Sequence, residues 1–235
     1  MNFYTIRIVL IVLFFPLTQS CPSRTQSFRS LTQISSSYLI RFSSSQASVS
    51  GSSCPFANLT GDHDDQRALL DQLSNYSIVD SDRIKSVLHS LMNQEHAHSY
   101  AENSVLPTLI TRYSSETEGK TINDRLVSDD VAITSAFETL ENLDSTKDFR
   151  AWQTQFNVLK KAINVHNAYE QETVFPLLSS KMSSQEKEKM IKDVATARQN
   201  VPSASITGAI IDGAKGLLGS VGSLFTRATA GVHQH

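Results

Sequence analysis

The stretch VHNAYEQETVFPLL, residues 165–178, continues a helical stripe of Trp152, Phe156, Leu159 and Ile163 and hands it on to Val174 and Leu177. Between the two apolar runs, at the positions that should extend the stripe, stand His166 and Glu170. Residues four apart lie one turn apart on a single helical face. An imidazole and a carboxylate are therefore presented together, on the face that the rest of the helix buries. Either the stretch is part of a buried site, or it is a surface face interrupting a core helix.

The other helices decide between these readings. Glycine and proline are scarce between residues 62 and 200, and apolar residues recur every three to four positions rather than every two. A first helix is predicted from Asp62 to Leu73, with His63 in line with Leu70 and Leu73. A second, from Ser81 to Thr111, carries Ile84, Leu88 and Leu91, then Glu95, His98 and Glu102, then Val105 and Leu109. A third, from Ile122 to Leu143, carries Ile122, Leu126, then Asp129 or Asp130, then Ile133, Phe137 and Leu140. The fourth follows STKD (145–148), where Ser145 and Asp148 suggest a capping box. The pattern predicts an all-α fold, an antiparallel up-down four-helix bundle.

Every stripe is thus broken by metal-capable side chains: His63, then His98 and Glu102, then Asp130 with Asp129 beside it, then His166 and Glu170. Burying such groups without partners costs several kcal/mol each, comparable with the whole stability of a domain. Four helices that each carry one at the core face need a common partner, and a cation is the economical one. Mixed nitrogen and oxygen donors suit iron, manganese or zinc. Glu95 lies on the same stripe, as a ligand or as a partner behind one. His89 and His96, seven apart and off the His98 face, are expected at the surface, and Tyr100 and Tyr169 are expected to pack at the stripe's edge.

The chain also repeats itself. DHDDQRALLDQL (62–73) resembles DDVAITSAFETL (129–140), and HSYAENSVLP (98–107) resembles HNAYEQETVFP (166–176). Asp62-His63 aligns with Asp129-Asp130, and the HxxxE units follow 35 and 36 residues later. Two helical hairpins of one pattern imply a pseudo-symmetric site.

The ordered set DH (62–63), HSYAE…LP (98–107) and HNAYEQETVFPLL (166–178) resembles the hemerythrin-like, or HHE cation-binding, domain. The resemblance covers residues 62–180 and implies an up-down bundle around a non-heme iron pair. It implies His63 as the ligand of the first helix, His98 and Glu102 as those of the second, and His166 and Glu170 as those of the fourth, with both glutamates bridging. The third helix departs from the family: Asp130 stands where a histidine is usual, and Thr134 follows one turn on. Asp130 can ligate iron, so the set accommodates one iron or two. Fewer nitrogen ligands in that half put reversible oxygen carriage in doubt.

Flanking segments have other compositions. Residues 1–61 contain four arginines and no acidic residue, with many serines, as in a disordered targeting leader of mitochondrial type. The apolar run IVLIVLFFPL (8–17) and the sequons at Asn58 and Asn75 support secretion as the alternative. The two cysteines, Cys21 and Cys54, offer no disulfide framework, and a net charge of −2 suggests no nucleic-acid partner. Residues 181–235 are expected as a charged, solvated helix with a capping box at Ser183 and Glu186, then a glycine-rich amphipathic tail. Its stripe, within 203–225, suits a membrane surface or a helical partner.

The functional expectation is a non-heme iron protein of hemerythrin-like type, with one or two irons, handling iron, oxygen or a related small ligand. Two alternatives stand beside it: a di-iron oxidase or peroxidase, and a helical adaptor docking through its C-terminal amphipathic helix.

Overall fold

Ser115, Asp148 and Ser183 each end a link and start a helix, their side chains accepting from the backbone N–H of Glu118, Ala151 and Glu186. Each bond satisfies an N–H that the first helical turn leaves without a partner. The computed structural model describes residues 54–77 and 80–201. The elements are α1 (Ala57–Ser74), α2 (Ser81–Tyr113), α3 (Glu116–Asn142), α4 (Phe149–Tyr169), a π-helical turn (Glu170–Val174), α5 (Phe175–Lys181) and α6 (Ser184–Gln199). Every element among the described residues is helical. None of these helices is long and apolar enough to cross a membrane.

Several boundaries differ from the sequence expectation. α1 begins at Ala57, ahead of Asp62, because Phe56 and Leu59 are fully buried and tie this segment to the core. α3 begins at Glu116, ahead of Ile122, because Ser115 caps it. The cap of α4 is Asp148 itself, and Ser145 is buried with no partner for its hydroxyl. The capping box at Ser183 and Glu186 forms as expected. Cys54 is disulfide-bonded. Most of the leader and the stripe within 203–225 lie outside the described residues.

α1 packs on α2, α2 on α3, α3 on α4, and α4 back on α1. The closed ring carries two apolar clusters. One joins Leu70, Leu88, Ile133, Phe137, Trp152 and Phe156, and the other joins Phe56, Leu59, Leu106, Leu126, Phe175 and Leu178. In each stripe the polar break separates residues of the first cluster from residues of the second, so the polar side chains form a layer between two apolar ones. α6 is not a solvated extension. It lies along α2, with Met190 and Val194 buried in the second cluster.

The Trp152 ring stacks between Phe149 at 6.1 Å and Phe156 at 5.3 Å. Trp152 is only 2 % exposed, so Trp152→Ala is expected to cost about 3–5 kcal/mol. Urea unfolding would measure this. A loss below about 1 kcal/mol would show that this end of the bundle is not a close-packed core.

Candidate metal centre

His63 on α1, His98 and Glu102 on α2 and Glu170 at the start of the π turn are all buried, and one ligand atom from each lies within 4.8 Å of all the others. The His63 and His98 Nε2 atoms are 3.1 Å apart. Glu170 Oε2 is 3.2 Å from His63 Nε2, and Glu102 Oε1 is 3.1 Å from His98 Nε2.

The other oxygen of each glutamate turns to a second group. Glu102 Oε2 and Glu170 Oε1 each lie 3.7 Å from His166 Nε2, and Asp130 Oδ1 lies 3.9 Å from the same nitrogen. The six residues singled out in the sequence therefore fall into two adjoining halves. His63 and His98 belong to one, His166 and Asp130 to the other, and Glu102 and Glu170 give one oxygen to each.

The arrangement is poorly satisfied as a hydrogen-bonded core. Both oxygens of Glu170, Glu102 Oε1, Asp130 Oδ1 and His166 Nε2 are buried without hydrogen-bond partners. Native cores rarely leave so many polar atoms unmatched. The described ionic partners of the three carboxylates are histidines, with no lysine or arginine among them. Burial disfavours charge on His98 and His166, yet the surrounding carboxylates outweigh it and raise both to about 10. Burial and the neighbouring His98 push His63 well below its usual value. Burial raises Glu170 and Asp130, with the Glu102 charge adding to it, whereas the two histidines overcome the burial of Glu102 and hold it low. Crowded acids and bases that share protons in this way can release them to a cation.

A carboxylate stands behind two of the rings, within hydrogen-bond distance only at His98. His98 Nδ1 is 3.2 Å from Asp62 Oδ2, and His166 Nδ1 is 3.9 Å from Asp129 Oδ2. In both copies of the repeat, the first member of the pair (Asp62, Asp129) backs the histidine of the HxxxE unit, while the second (His63, Asp130) faces the centre. The His63 ring instead stacks on Phe175 at 5.9 Å, and Phe175 stacks on Phe56 at 4.4 Å.

The π turn has a sequence origin. His98 to Pro107 is nine steps and His166 to Pro176 is ten, so the second HxxxE unit carries one extra residue before its proline. The helix absorbs that residue by widening: Phe175 N–H bonds Glu170 O, five residues back. Glu170 sits where the widening begins. Its helix therefore continues with Val174, Phe175 and Leu178 still turned into the core.

Glu95 is not at the centre. It accepts from Gln66 at 2.6 Å and Ser99 at 3.4 Å, and Asn167 donates to Gln66 at 2.7 Å. This buried network ties α1, α2 and α4 together beside the site. Thr134 donates to the Asp130 backbone oxygen at 2.9 Å, leaving the carboxylate to Asn103, which donates to Asp130 Oδ2 at 3.0 Å. Tyr169 packs against the second cluster, with Arg125 lying 3.7 Å above its ring.

His89 is exposed as expected, but His96 is buried. His96 shares a helical face with Asn103, which bonds Asp130 of α3. A cavity lined by Asn103, Pro107, Asn123 and Val127 reaches His166 and Asp130.

The family model described as hemerythrin HHE cation binding domain matches residues 54–178. No curated protein and no solved structure matches the chain.

Proposed function

Because the chain belongs to the hemerythrin HHE cation-binding family, we propose that its buried centre holds non-heme iron, one ion in each half-site, within an antiparallel up-down four-helix bundle. His63 and His98 would hold the first ion, His166 and Asp130 the second, and Glu102 and Glu170 would bridge. The observation that carries this reading is the division of oxygens: each glutamate turns one oxygen to each half. A donor set of three imidazoles and three carboxylates fits iron, and the orphaned atoms are the ones that a cation would satisfy. Bound iron supplies coordination of, and electron exchange with, a small ligand such as oxygen.

The protein's own residues decide which half a ligand meets. The cavity beside Asn103 and Asn123 leads to the His166–Asp130 half, whereas Phe175 and Phe56 pack over His63. Asn103, donating to Asp130, can orient that carboxylate and offer its amide to an entering polar ligand. This carboxylate-rich half also supports a second reading, a di-iron oxidase or peroxidase. Turnover of oxygen or peroxide by the iron-loaded protein separates that enzyme from a binding protein.

The direct test is metal per chain in protein produced with iron. Two irons are expected, with clear losses in His98→Ala and His166→Ala. A folded chain that takes up no iron would overturn the reading.

A further inference from the structure

The two backing aspartates are anchored differently. Asp129 is paired within its own helix, to Arg125 at 3.5 Å. Asp62 is paired with Arg198, in the last turn of α6. α6 begins beyond residue 178, where the family match ends. Arg198 Nη2 also donates to Asn58 O on α1, at 3.4 Å. Asp62 is only 14 % exposed and Arg198 29 %, so solvent screens the pair incompletely.

We propose that α6 is a strap that tunes metal affinity in the His63–His98 half, with Arg198 and Asp62 as positioning residues for His98. The argument rests on the metal reading above. His98 Nε2 faces the centre, so Nδ1 carries the proton and donates to Asp62. Such an outer carboxylate fixes the ring and its tautomer and strengthens the ring as a donor. Arg198 holds Asp62 in that position. Without the guanidinium, a mostly buried carboxylate would keep only a neutral imidazole as partner and would turn toward water.

The rest of α6 is fastened independently. Arg112 pairs with Glu186 at 3.1 Å, and Met190 and Val194 are buried. Only the last turn reaches the centre, and it does so through one ion pair. The coupling is reciprocal: the docked last turn favours metal in this half, and metal there holds the last turn down.

The test is an anaerobic ferrous-ion titration of the full chain, combined with hydrogen exchange along α6. Arg198→Ala is expected to weaken one of two iron sites about tenfold or more and to leave the other unchanged. Asp62→Asn should do the same, and the double variant should be no weaker than the worse single variant, because both act through His98. Arg198→Lys, which keeps the charge, should recover part of the loss. Iron should slow exchange across 194–199 in the wild type but not in Arg198→Ala. A simple packing role would lower stability without selecting one iron. If the wild type binds iron and Arg198→Ala binds both ions equally well, or if iron leaves exchange in α6 unchanged, the strap is wrong and the metal reading survives. A wild type that takes no iron overturns both.

Discussion

Glu170→Ala is expected to empty both half-sites, whereas Asp130→Ala empties only the half beside α3. Glu170 is the residue whose two oxygens face His63 and His166, at 3.2 Å and 3.7 Å. Of the site's histidines, Asp130 approaches His166. Loss of an outer partner of a ligand costs about 10–100-fold in metal affinity, and loss of a shared ligand should exceed that in each half. Iron per chain measured on both variants reads the difference. Equal iron content in Glu170→Ala and Asp130→Ala would contradict the bridging arrangement. Asp130→His supplies the nitrogen this half lacks and should tighten the second ion; unchanged affinity would place Asp130 outside the metal's reach.

Chelation should lower Tm by on the order of 10 °C when free iron stands near a thousand times its Kd, and the drop should grow as pH rises from about 6 to 9. The sign follows from the histidines. In the metal-free protein, burial lowers the pKa of His98 and His166, but the carboxylates outweigh it and raise both to about 10. Their pairing therefore stabilises the metal-free fold fully below about pH 6.5, and that contribution is lost as pH rises through about 10. Metal needs the same nitrogens deprotonated, so its affinity moves the opposite way, weakening as pH falls. The loaded and metal-free proteins should separate most in mildly alkaline buffer. A thermal shift that shrank with rising pH would mean the two histidines are not paired as described.

Much of this site was legible in the chain because its information is local. His166 and Glu170, or His98 and Glu102, share a face as soon as the backbone is helical. The apolar residues before and after them bury that face, and His63 and Asp130 interrupt their own stripes in the same way. The π turn was also written there, as the one extra residue between Glu170 and Pro176 relative to Glu102 and Pro107. The repeat already aligned Asp62 with Asp129. Their common position behind a histidine needed the helices to be packed before it could be seen.

His96 shows where the local argument fails. Periodicity locates a residue on its helix but does not say how many neighbours that helix has. α2 is flanked by α1, α3 and α6, so its buried surface is wider than one stripe and takes in a position that looked external. Glu95 shows the converse: its place on the stripe was right, but Gln66 and Ser99 claim its oxygens.

The sequence alone determined the helices, the polar layer and the identities of its six converging side chains, because helix formation and face sharing depend on residues within a few turns. Tertiary structure decided how the oxygens of Glu102 and Glu170 divide between two histidine groups, that His96 is buried, and that α6 returns to bring Arg198 to Asp62. Those outcomes depend on side chains far apart in the chain meeting at a few ångströms. Such a distance is set by the packing of whole helices, to which no short spacing in the sequence corresponds.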